Sequence, residues 1–331
     1  MFDTHHDLLA KLYISYLKND FTYIENWIKN YRFDNVTGVL ANLCFMSEEE
    51  MNNEFDPNFY RKDVSVIDMF RISTELLRKY IPSDLKVFTS IEGCDFLEDE
   101  NDLVALKELG LDAIVPVWNC KNKFGSGKRS EDGLTPLGER LIDKAAELGI
   151  CVDLSHANER TFWDIINYVK SKNLNVKIYA SHSNSRSLCD IPRNLTDEQI
   201  KAIVELGGFV GIMSNSGFVD KGGYKKREEK LGTPEYDEYI KFLKEKYVEH
   251  ILHVYKLTGS IDSICVSTDD MGFSELCDYK ESTIFDYKNI ASELRKLLSK
   301  HFSEEDINKI MCENALNHLN QAREKQVKRK R

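Results

Sequence analysis

Histidine and carboxylate side chains stand at the ends of several short apolar segments of the sequence. They are His5-His6-Asp7, Glu92, His156, His182 and Asp269. One such residue alone is more often a capping or hydrogen-bonded group than a ligand. The imidazoles of His5, His156 and His182, together with the three carboxylates, form a nitrogen and oxygen donor set suited to zinc or another divalent transition metal, and a carboxylate can bridge two ions. The sequence therefore predicts a metal centre.

The first of these segments shows how ligands can converge from one strand end. Side chains alternate between the two faces of a strand, so His5 and Asp7 are expected to point one way and His6 the other. The same alternation applies to Asp269 and Asp270, of which only one is expected to face the site.

Short β-rich segments alternate with longer segments of helical period, which is typical of strand–helix–strand units and a parallel sheet. We predict strands at residues 1–5, 36–45, 86–92, 113–119, 150–156, 177–183, 208–214 and 263–269. Helices are predicted at residues 8–31, 64–80, 102–109, 136–148, 159–171, 197–206 and 236–257, with a pair after Tyr287. Eight strands, each followed by a helix, predict an α/β fold, a closed (β/α)8 TIM barrel whose chemistry lies at the carboxyl ends of the strands.

Composition and charge argue against two classes of binding partner, nucleic acids and membranes. The chain has 331 residues and a formal net charge of -10, which argues against nucleic-acid binding because attraction to phosphate needs clustered Lys and Arg. The first residues do not resemble a secretory signal, and no apolar run reaches 18 residues, so we expect no membrane partner and a cytoplasmic location. Eight cysteines without CxxC spacing do not indicate a disulfide framework.

The remaining segments are expected to be structural. We predict one catalytic domain over residues 1–318 and a basic, frayed tail over residues 319–331. His250 and His253 stand three residues apart, but their helix precedes the eighth strand, which favours a place in the outer helix layer over metal binding. Residues 220–239, rich in Lys, Glu and Gly, are expected to form either an insertion over the mouth of the active site or a solvated loop and helix start.

The motifs, in their order along the chain, resemble those of the membrane (renal) dipeptidases, metallopeptidases of the amidohydrolase-like barrel class. The resemblance spans nearly the whole chain. The matching stretches are Asp3-Thr4-His5-His6-Asp7, Ile91-Glu92-Gly93, Gly133-Leu134-Thr135-Pro136-Leu137-Gly138, Val152-Asp153-Leu154-Ser155-His156, Ala180-Ser181-His182-Ser183-Asn184-Ser185, Pro192-Arg193-Asn194-Leu195-Thr196 and the acidic turn at Asp269.

The resemblance implies a centre of two zinc ions, with other divalent transition metals as alternatives. His5 and Asp7 would bind one ion, His156 and His182 the other, and Glu92 would bridge them. A hydroxide would lie between the ions, because two cations lower the pKa of bound water toward ~7. The implied reaction is hydrolysis of the peptide bond of a dipeptide by that hydroxide.

The resemblance also implies roles for two residues beyond the ligands. Arg193 would bind the terminal carboxylate of the substrate, a task that suits a planar guanidinium. Asp269 would accept a proton from the metal-bound water and donate it to the leaving amine.

The sequence departs from the family pattern after the fourth strand. Mammalian members carry a histidine there that is thought to steady the oxyanion, whereas this chain has Val117-Trp118-Asn119. We expect Trp118 and Asn119 to line the substrate pocket; a loss of ~3 kcal/mol of transition-state stabilisation is the alternative. Cys94 also stands where relatives favour another residue, so substrate choice is expected to differ.

Two other functions therefore stay open. One is an amidohydrolase acting on N-acyl or D-amino acid conjugates, and the other is a metal-binding relative without catalysis. The oligomeric state also stays open, with a homodimer as a candidate.

Overall fold

The computed structural model describes residues 1–31, 36–44, 64–270 and 283–329. Within these ranges the eight predicted strands are present in the predicted order, and most are shorter than expected. Their bounds are β1 Phe2–His6, β2 Gly38–Cys44, β3 Lys86–Glu92, β4 Ala113–Val115, β5 Cys151–Asp153, β6 Ile178–Tyr179, β7 Val210–Met213 and β8 Ile264–Ser267. Phe45, the predicted end of the second strand, lies outside the described residues.

The helices alternate with the strands as predicted. Their bounds are α1 Leu8–Lys18, α2 Thr22–Tyr31, α3 Val66–Tyr80, α4 Asp102–Glu108, α5 Pro136–Leu148, α6 Glu159–Lys172, α7 Asp197–Glu205, α8 Ser216–Val219, α9 Gly223–Lys230, α10 Tyr236–Thr258, α11 Ile290–Leu298, α12 Glu304–Asn308 and α13 Asn314–Arg329. A single first helix over residues 8–31 is wrong, because Asn19 takes a left-handed conformation with φ 51° and ends α1. None of these helices in the described ranges is long and apolar enough to cross a membrane.

The chain divides into two compact units. The first comprises Met1–His6, Asn26–Val39 and Ala180–Leu316, and the second comprises Asp7–Glu25, Leu40–Tyr179 and Asn317–Arg331. Strands β3 to β6 follow one another in sheet order in the second unit, and β7 pairs with β8 in a parallel register in the first. That residues 1–318 act as one catalytic domain stays a prediction.

Each unit arranges its strands in parallel. In the second unit β3, β4, β5 and β6 pair with their neighbours in chain order. In the first unit, parallel bridges join Ala180 to Val210 and His6 to Asp270. The carboxyl ends of neighbouring parallel strands therefore lie at the same edge within each unit, where the ligand-type side chains stand.

Threonine caps fix the starts of two helices, α5 and α7. Thr135 Oγ1 accepts a hydrogen bond from Gly138 N at 3.0 Å. Thr196 and Gln199 form a reciprocal capping box, in which each side chain accepts from the other residue's backbone N–H. Caps of this kind stabilise a helix by about 1 kcal/mol and fix the path of the loop before it. The second of them follows directly on Arg193 and its loop.

The cysteines behave as the sequence analysis expected. Those described are free thiols, and all except Cys312 are buried. Burial raises the pKa of Cys151 to about 12 and that of Cys189 to about 11. These thiols therefore stay protonated at neutral pH and act as small apolar side chains. Cys277 lies outside the described residues.

The C-terminal helix α13 continues to Arg329, and a basic, frayed tail over residues 319–331 stays a prediction. Arg323 donates to both carboxylate oxygens of Asp112, at 2.7 and 2.6 Å, and its guanidinium carbon lies 3.9 Å from the centre of the Phe88 ring. The bidentate ion pair with Asp112 holds α13 against the segment before β4, and the stacking on Phe88 holds it against β3. Residues 330–331 lie outside the described part of the chain.

Candidate metal centre

In the first unit, the imidazole rings of two histidines both contact the hydroxyl group of one serine. His5 near the end of β1 and His182 after β6 are buried, and their ring centres lie 3.8 Å apart. Ser181 Oγ lies 3.1 Å from His5 Nδ1 and 2.7 Å from His182 Nδ1. A hydroxyl oxygen has two acceptor lone pairs, so it can accept from both rings when each carries its hydrogen on Nδ1. That tautomer leaves both Nε2 atoms able to ligate a metal.

Asp269 lies beside His5, in a strained backbone conformation. Its φ is +56°, in the left-handed region that costs most residues ~1–2 kcal/mol. Its backbone N–H donates to His5 O at 3.1 Å, its Oδ1 lies 3.8 Å from His5 Nε2, and its side chain is 25% exposed. A partly exposed carboxylate next to a buried imidazole is able to exchange protons with a bound substrate.

A buried acidic network connects β1 to β8 behind these residues. Asp3 accepts hydrogen bonds from the backbone N–H of Thr268 at 2.9 Å, from the Thr268 hydroxyl and from Tyr287 OH at 2.9 Å. Burial raises the pKa of Asp3 to about 6, although these hydrogen bonds act in the opposite direction. His6 is also buried, and its ring meets the Tyr287 ring edge at 5.7 Å. The network fixes the strand ends that carry His5 and Asp269.

The second unit brings together two carboxylates, an imidazole and an amide. Glu92 Oε1, at the end of β3, lies 2.9 Å from His156 Nε2. Asn42, within β2, donates through Nδ2 to Glu92 Oε2 at 3.0 Å and to Asp7 Oδ1 at 3.1 Å. All four side chains are buried. Sequence reasoning missed Asn42, although it is the one polar side chain in the strand sequence GVLANLC.

Trp118 and Asn119 follow β4, as the sequence placed them. The Trp118 ring stacks on His156 with 5.9 Å between ring centres and 29° between planes. Asn119 is buried. An aromatic wall thus lies along one of the proposed metal ligands, in keeping with a pocket-lining role.

Arg193 lies in the loop between β6 and α7, in the first unit. It is 5% exposed, and its guanidinium carbon lies 5.4 Å from the centre of the Phe218 ring. The next residue, Asn194, donates to the carbonyl oxygens of Cys189 and Phe218 at 2.9 and 3.0 Å. The hydrogen bonds of Asn194 fix the backbone of this loop beside Arg193, and the guanidinium itself is buried against the Phe218 ring.

The histidines assigned to the outer layer have structural partners. His250 Nδ1 accepts from Ser185 N at 3.1 Å, and His253 Nε2 lies 2.8 Å from Asp197 Oδ1. Both contacts connect α10 to the segment that follows β6. These contacts support a structural role for His250 and His253 in the helix layer over a role in metal binding.

The donor set fits a transition metal. It consists of buried imidazole nitrogens and carboxylate oxygens, the ligands that zinc binds in catalytic sites. Burial of ionised carboxylates is costly unless they are hydrogen-bonded, paired with cations or bound to metal. The contact between His156 and Glu92 in the second unit is of the kind that a shared cation stabilises.

The family model of the membrane dipeptidases, peptidase family M19, matches residues 58–331. This chain belongs to the membrane dipeptidase family. The resemblance found in the sequence is thereby confirmed, and membership of a metallopeptidase family implies dependence on a metal ion.

Solved structures confirm the predicted fold class, an α/β (β/α)8 barrel. A metallopeptidase from Rhodobacter sphaeroides, bound to a phosphinate mimic of the dipeptide L-Ala-D-Ala, is 18% identical with a TM-score of 0.71 and covers 97% of this chain and 98% of its own. The probable dipeptidase PvdM from Pseudomonas aeruginosa is 17% identical with a TM-score of 0.67, covering 90% of this chain and 88% of its own.

Curated relatives match over shorter stretches. A Klebsiella pneumoniae protein, described as uncharacterized and in the pqqA 5′ region, is 35% identical over 199 residues, 57% of this chain and 66% of that protein. An uncharacterized dipeptidase of Schizosaccharomyces pombe is 24% identical over 250 residues, 74% of this chain and 53% of its own length. The chain thus spans between about half and two thirds of these two relatives.

Proposed function

We propose that this chain is a zinc-dependent dipeptidase that hydrolyses the peptide bond of dipeptides. The observation that carries the proposal is the grouping, within each compact unit of a membrane dipeptidase family chain, of buried ligand-type side chains at strand ends. In the first unit His5 and His182 share Ser181, and in the second Glu92 lies against His156.

We assign five side chains to two zinc ions. His5 and Asp7 are assigned to one ion, His156 and His182 to the other, and Glu92 to both. Two bound zinc ions would supply a water molecule whose pKa is lowered to ~7 and would polarise the scissile carbonyl group. The protein's own contribution is to hold the ligands in fixed orientations through Ser181 and neighbouring hydrogen bonds.

Asp269 is assigned the proton transfers. Its carboxylate accepts a proton from the attacking water and delivers it to the amine that leaves when the peptide bond breaks. Its partial exposure and its place next to His5 support this role. The hydrogen bond from its backbone to His5 O holds the carboxylate in a conformation that most residues disfavour.

Arg193 is assigned the substrate's terminal carboxylate. A buried guanidinium offers a fork of donors that matches a carboxylate, and burial strengthens the attraction because solvent screens it less. A clamp of this kind near the reacting bond leaves no room for further residues. Trp118 and Asn119 are assigned to the pocket wall beside His156, where they contact the substrate's side chains.

A hydrolysis panel tests the function. Zinc-loaded protein is given L,L-dipeptides, a tripeptide, a tetrapeptide and L-Ala-D-Ala, with metal-free protein as the control. We expect zinc-dependent cleavage of dipeptides and none of the tetrapeptide. Equal turnover of tetrapeptide would contradict the Arg193 clamp, and absence of all peptide hydrolysis would contradict the function.

A second candidate is hydrolysis of N-acyl or D-amino acid conjugates. The stacking of Trp118 on His156 favours it, because an indole replaces the family histidine and presents an apolar surface to the substrate. The Rhodobacter sphaeroides relative binds a mimic of a dipeptide with a C-terminal D-residue. Faster turnover of N-acyl amino acids or L-Ala-D-Ala than of L,L-dipeptides would select this candidate, and zinc binding without any hydrolysis would select a non-catalytic relative.

Three finer expectations belong to the same proposal. We propose a cytoplasmic location, the absence of nucleic-acid and membrane partners, and a homodimer as the candidate oligomeric state. Fractionation and light scattering test the first two directly.

A further inference from the structure

Asn42 is a fully buried amide in the middle of an apolar strand. It has 0% exposure, and the rest of β2, Gly38–Cys44, carries no polar side chain. A buried amide is costly unless its hydrogen bonds are made. The Nδ2 group of Asn42 makes two hydrogen bonds, to the carboxylates of Asp7 and Glu92, which come from different elements of the second unit, whereas its Oδ1 has no hydrogen-bond partner among the described residues.

The chemistry of the carboxylates determines which way the amide points. An ionised carboxylate only accepts hydrogen bonds, so the NH2 end of Asn42 must face both groups. One nitrogen then holds Asp7 Oδ1 at 3.1 Å and Glu92 Oε2 at 3.0 Å. Each carboxylate has about four lone-pair sites, and one hydrogen bond leaves most of them available for a cation.

The neutral charge of the amide distinguishes it from other donors. A Lys or Arg at this place would neutralise the carboxylates and compete with a metal ion, whereas an Asp would repel them. An amide orients two negative groups and leaves their charge in place. Glu92 is held from both sides, since its second oxygen lies 2.9 Å from His156 Nε2.

We propose that Asn42 is a positioning residue of the metal centre, which fixes the orientation of Asp7 and Glu92 so that both present their remaining oxygen lone pairs to the ions. The proposal rests on the function proposed above, in which these two carboxylates are zinc ligands. Asn42 touches neither substrate nor reacting atoms, so its effect is exerted through metal affinity. Loss of such a hydrogen bond behind a ligand commonly weakens metal binding 10–100-fold.

A purely structural role makes a different prediction. If Asn42 only fills β2 and satisfies its own amide, its replacement lowers thermal stability and leaves zinc affinity unchanged. Asn314 is a matched control, because it is also buried, at 8% exposure, and donates through Nδ2 to the two carbonyl oxygens of Ile261 and Ile264, at 2.7 and 2.8 Å. Its partners are not proposed ligands.

The experiment measures zinc affinity in the full chain by competition with a chromophoric chelator, together with the melting temperature with and without zinc. The variants are Asn42→Leu, which keeps the size and removes the donors, Asn42→Ser, which is smaller and more easily accommodated, and Asn314→Leu. We expect both Asn42 variants to bind zinc 10–100-fold more weakly than wild type. Asn314→Leu should lose thermal stability at unchanged zinc affinity.

The outcomes separate the inference from the function on which it rests. Wild-type zinc affinity in a folded Asn42 variant would overturn the positioning role. Failure of both Asn42 variants to fold, with Asn314→Leu folded, would also overturn it in favour of a structural role. Absence of zinc binding by wild type would instead contradict the proposed function itself.

Discussion

His250 offers a quantitative test of the packing behind the β6 loop. It is fully buried on α10, its Nδ1 accepts from Ser185 N at 3.1 Å, and its Nε2 lies 3.4 Å from Val219 O. The neutral tautomer with hydrogen on Nε2 satisfies both partners. Protonation would place a second hydrogen on Nδ1, directly against the backbone N–H of Ser185.

The magnitude follows from the pKa of His250. Burial lowers it from 6.5 to about 4, although the hydrogen bond to Val219 O acts in the opposite direction; nearby His253 lowers it further. The unfolded chain therefore binds more protons than the folded chain between pH 6.5 and pH 4. The free energy of unfolding falls as the pH is lowered through this window, at up to ~1.4 kcal/mol per pH unit. The loss attributable to His250 is about 2 kcal/mol between pH 7 and pH 5, and about 3 kcal/mol by pH 4.

The assay compares urea unfolding of wild type and His250→Asn at pH 7 and pH 5. Asn Oδ1 can still accept from Ser185 N but does not titrate. Other titrating groups contribute equally to both proteins and cancel in the difference. Wild type should lose about 2 kcal/mol more than the variant between the two pH values. His301→Asn, at an exposed histidine, is the matched control and should behave as wild type.

An equal pH dependence in wild type and His250→Asn would refute the reasoning. It would mean that His250 is solvated, or already protonated at neutral pH, and that α10 does not anchor the loop through a neutral imidazole.

Three further variants test the site. Asp269→Asn should lower kcat by 10²–10⁴-fold with unchanged thermal stability, because Asn tolerates the left-handed φ of this position; undiminished kcat would remove the proton-transfer role. Arg193→Lys should raise KM for dipeptides by about tenfold or more, because an ammonium lacks the bidentate fork; an unchanged KM would place the substrate carboxylate elsewhere. Gly211→Ala should destabilise the chain by about 3 kcal/mol, because a Cβ there would lie 1.9 Å from Ser181 O and 2.4 Å from Thr4 Oγ1; wild-type stability in urea unfolding would show that β7 can move away.

The strands were predictable from sequence because they are buried on both faces and therefore read as apolar runs. The carboxyl ends of several strands could not be predicted, although that of β3 at Glu92 was, because strand pairing depends on neighbours that the sequence does not show. Residues 154–156, for example, were assigned to the fifth strand, yet β5 ends at Asp153 and His156 lies in the following turn. The break between α1 and α2 had a local signal in Asn19, whose side chain tolerates the left-handed conformation.

The candidate metal ligands could be predicted from the sequence, but the residues that hydrogen-bond to those ligands could not. Ligand-type residues at strand ends carry a local signal, because imidazoles and carboxylates interrupt apolar segments. Asn42 acts on residues 35 and 50 positions away, so its role appears only when the strands are placed. Ser181 adjoins His182 in sequence, but its contact with His5 spans 176 positions.

The central claim is that five side chains bind two zinc ions. The most direct measurement is an anomalous difference map, recorded at the zinc absorption edge from crystals of zinc-loaded protein. We predict two peaks, one bound by His5 and Asp7 and the other by His156 and His182, with Glu92 bound to both. A single peak, or peaks away from these residues, would contradict the account.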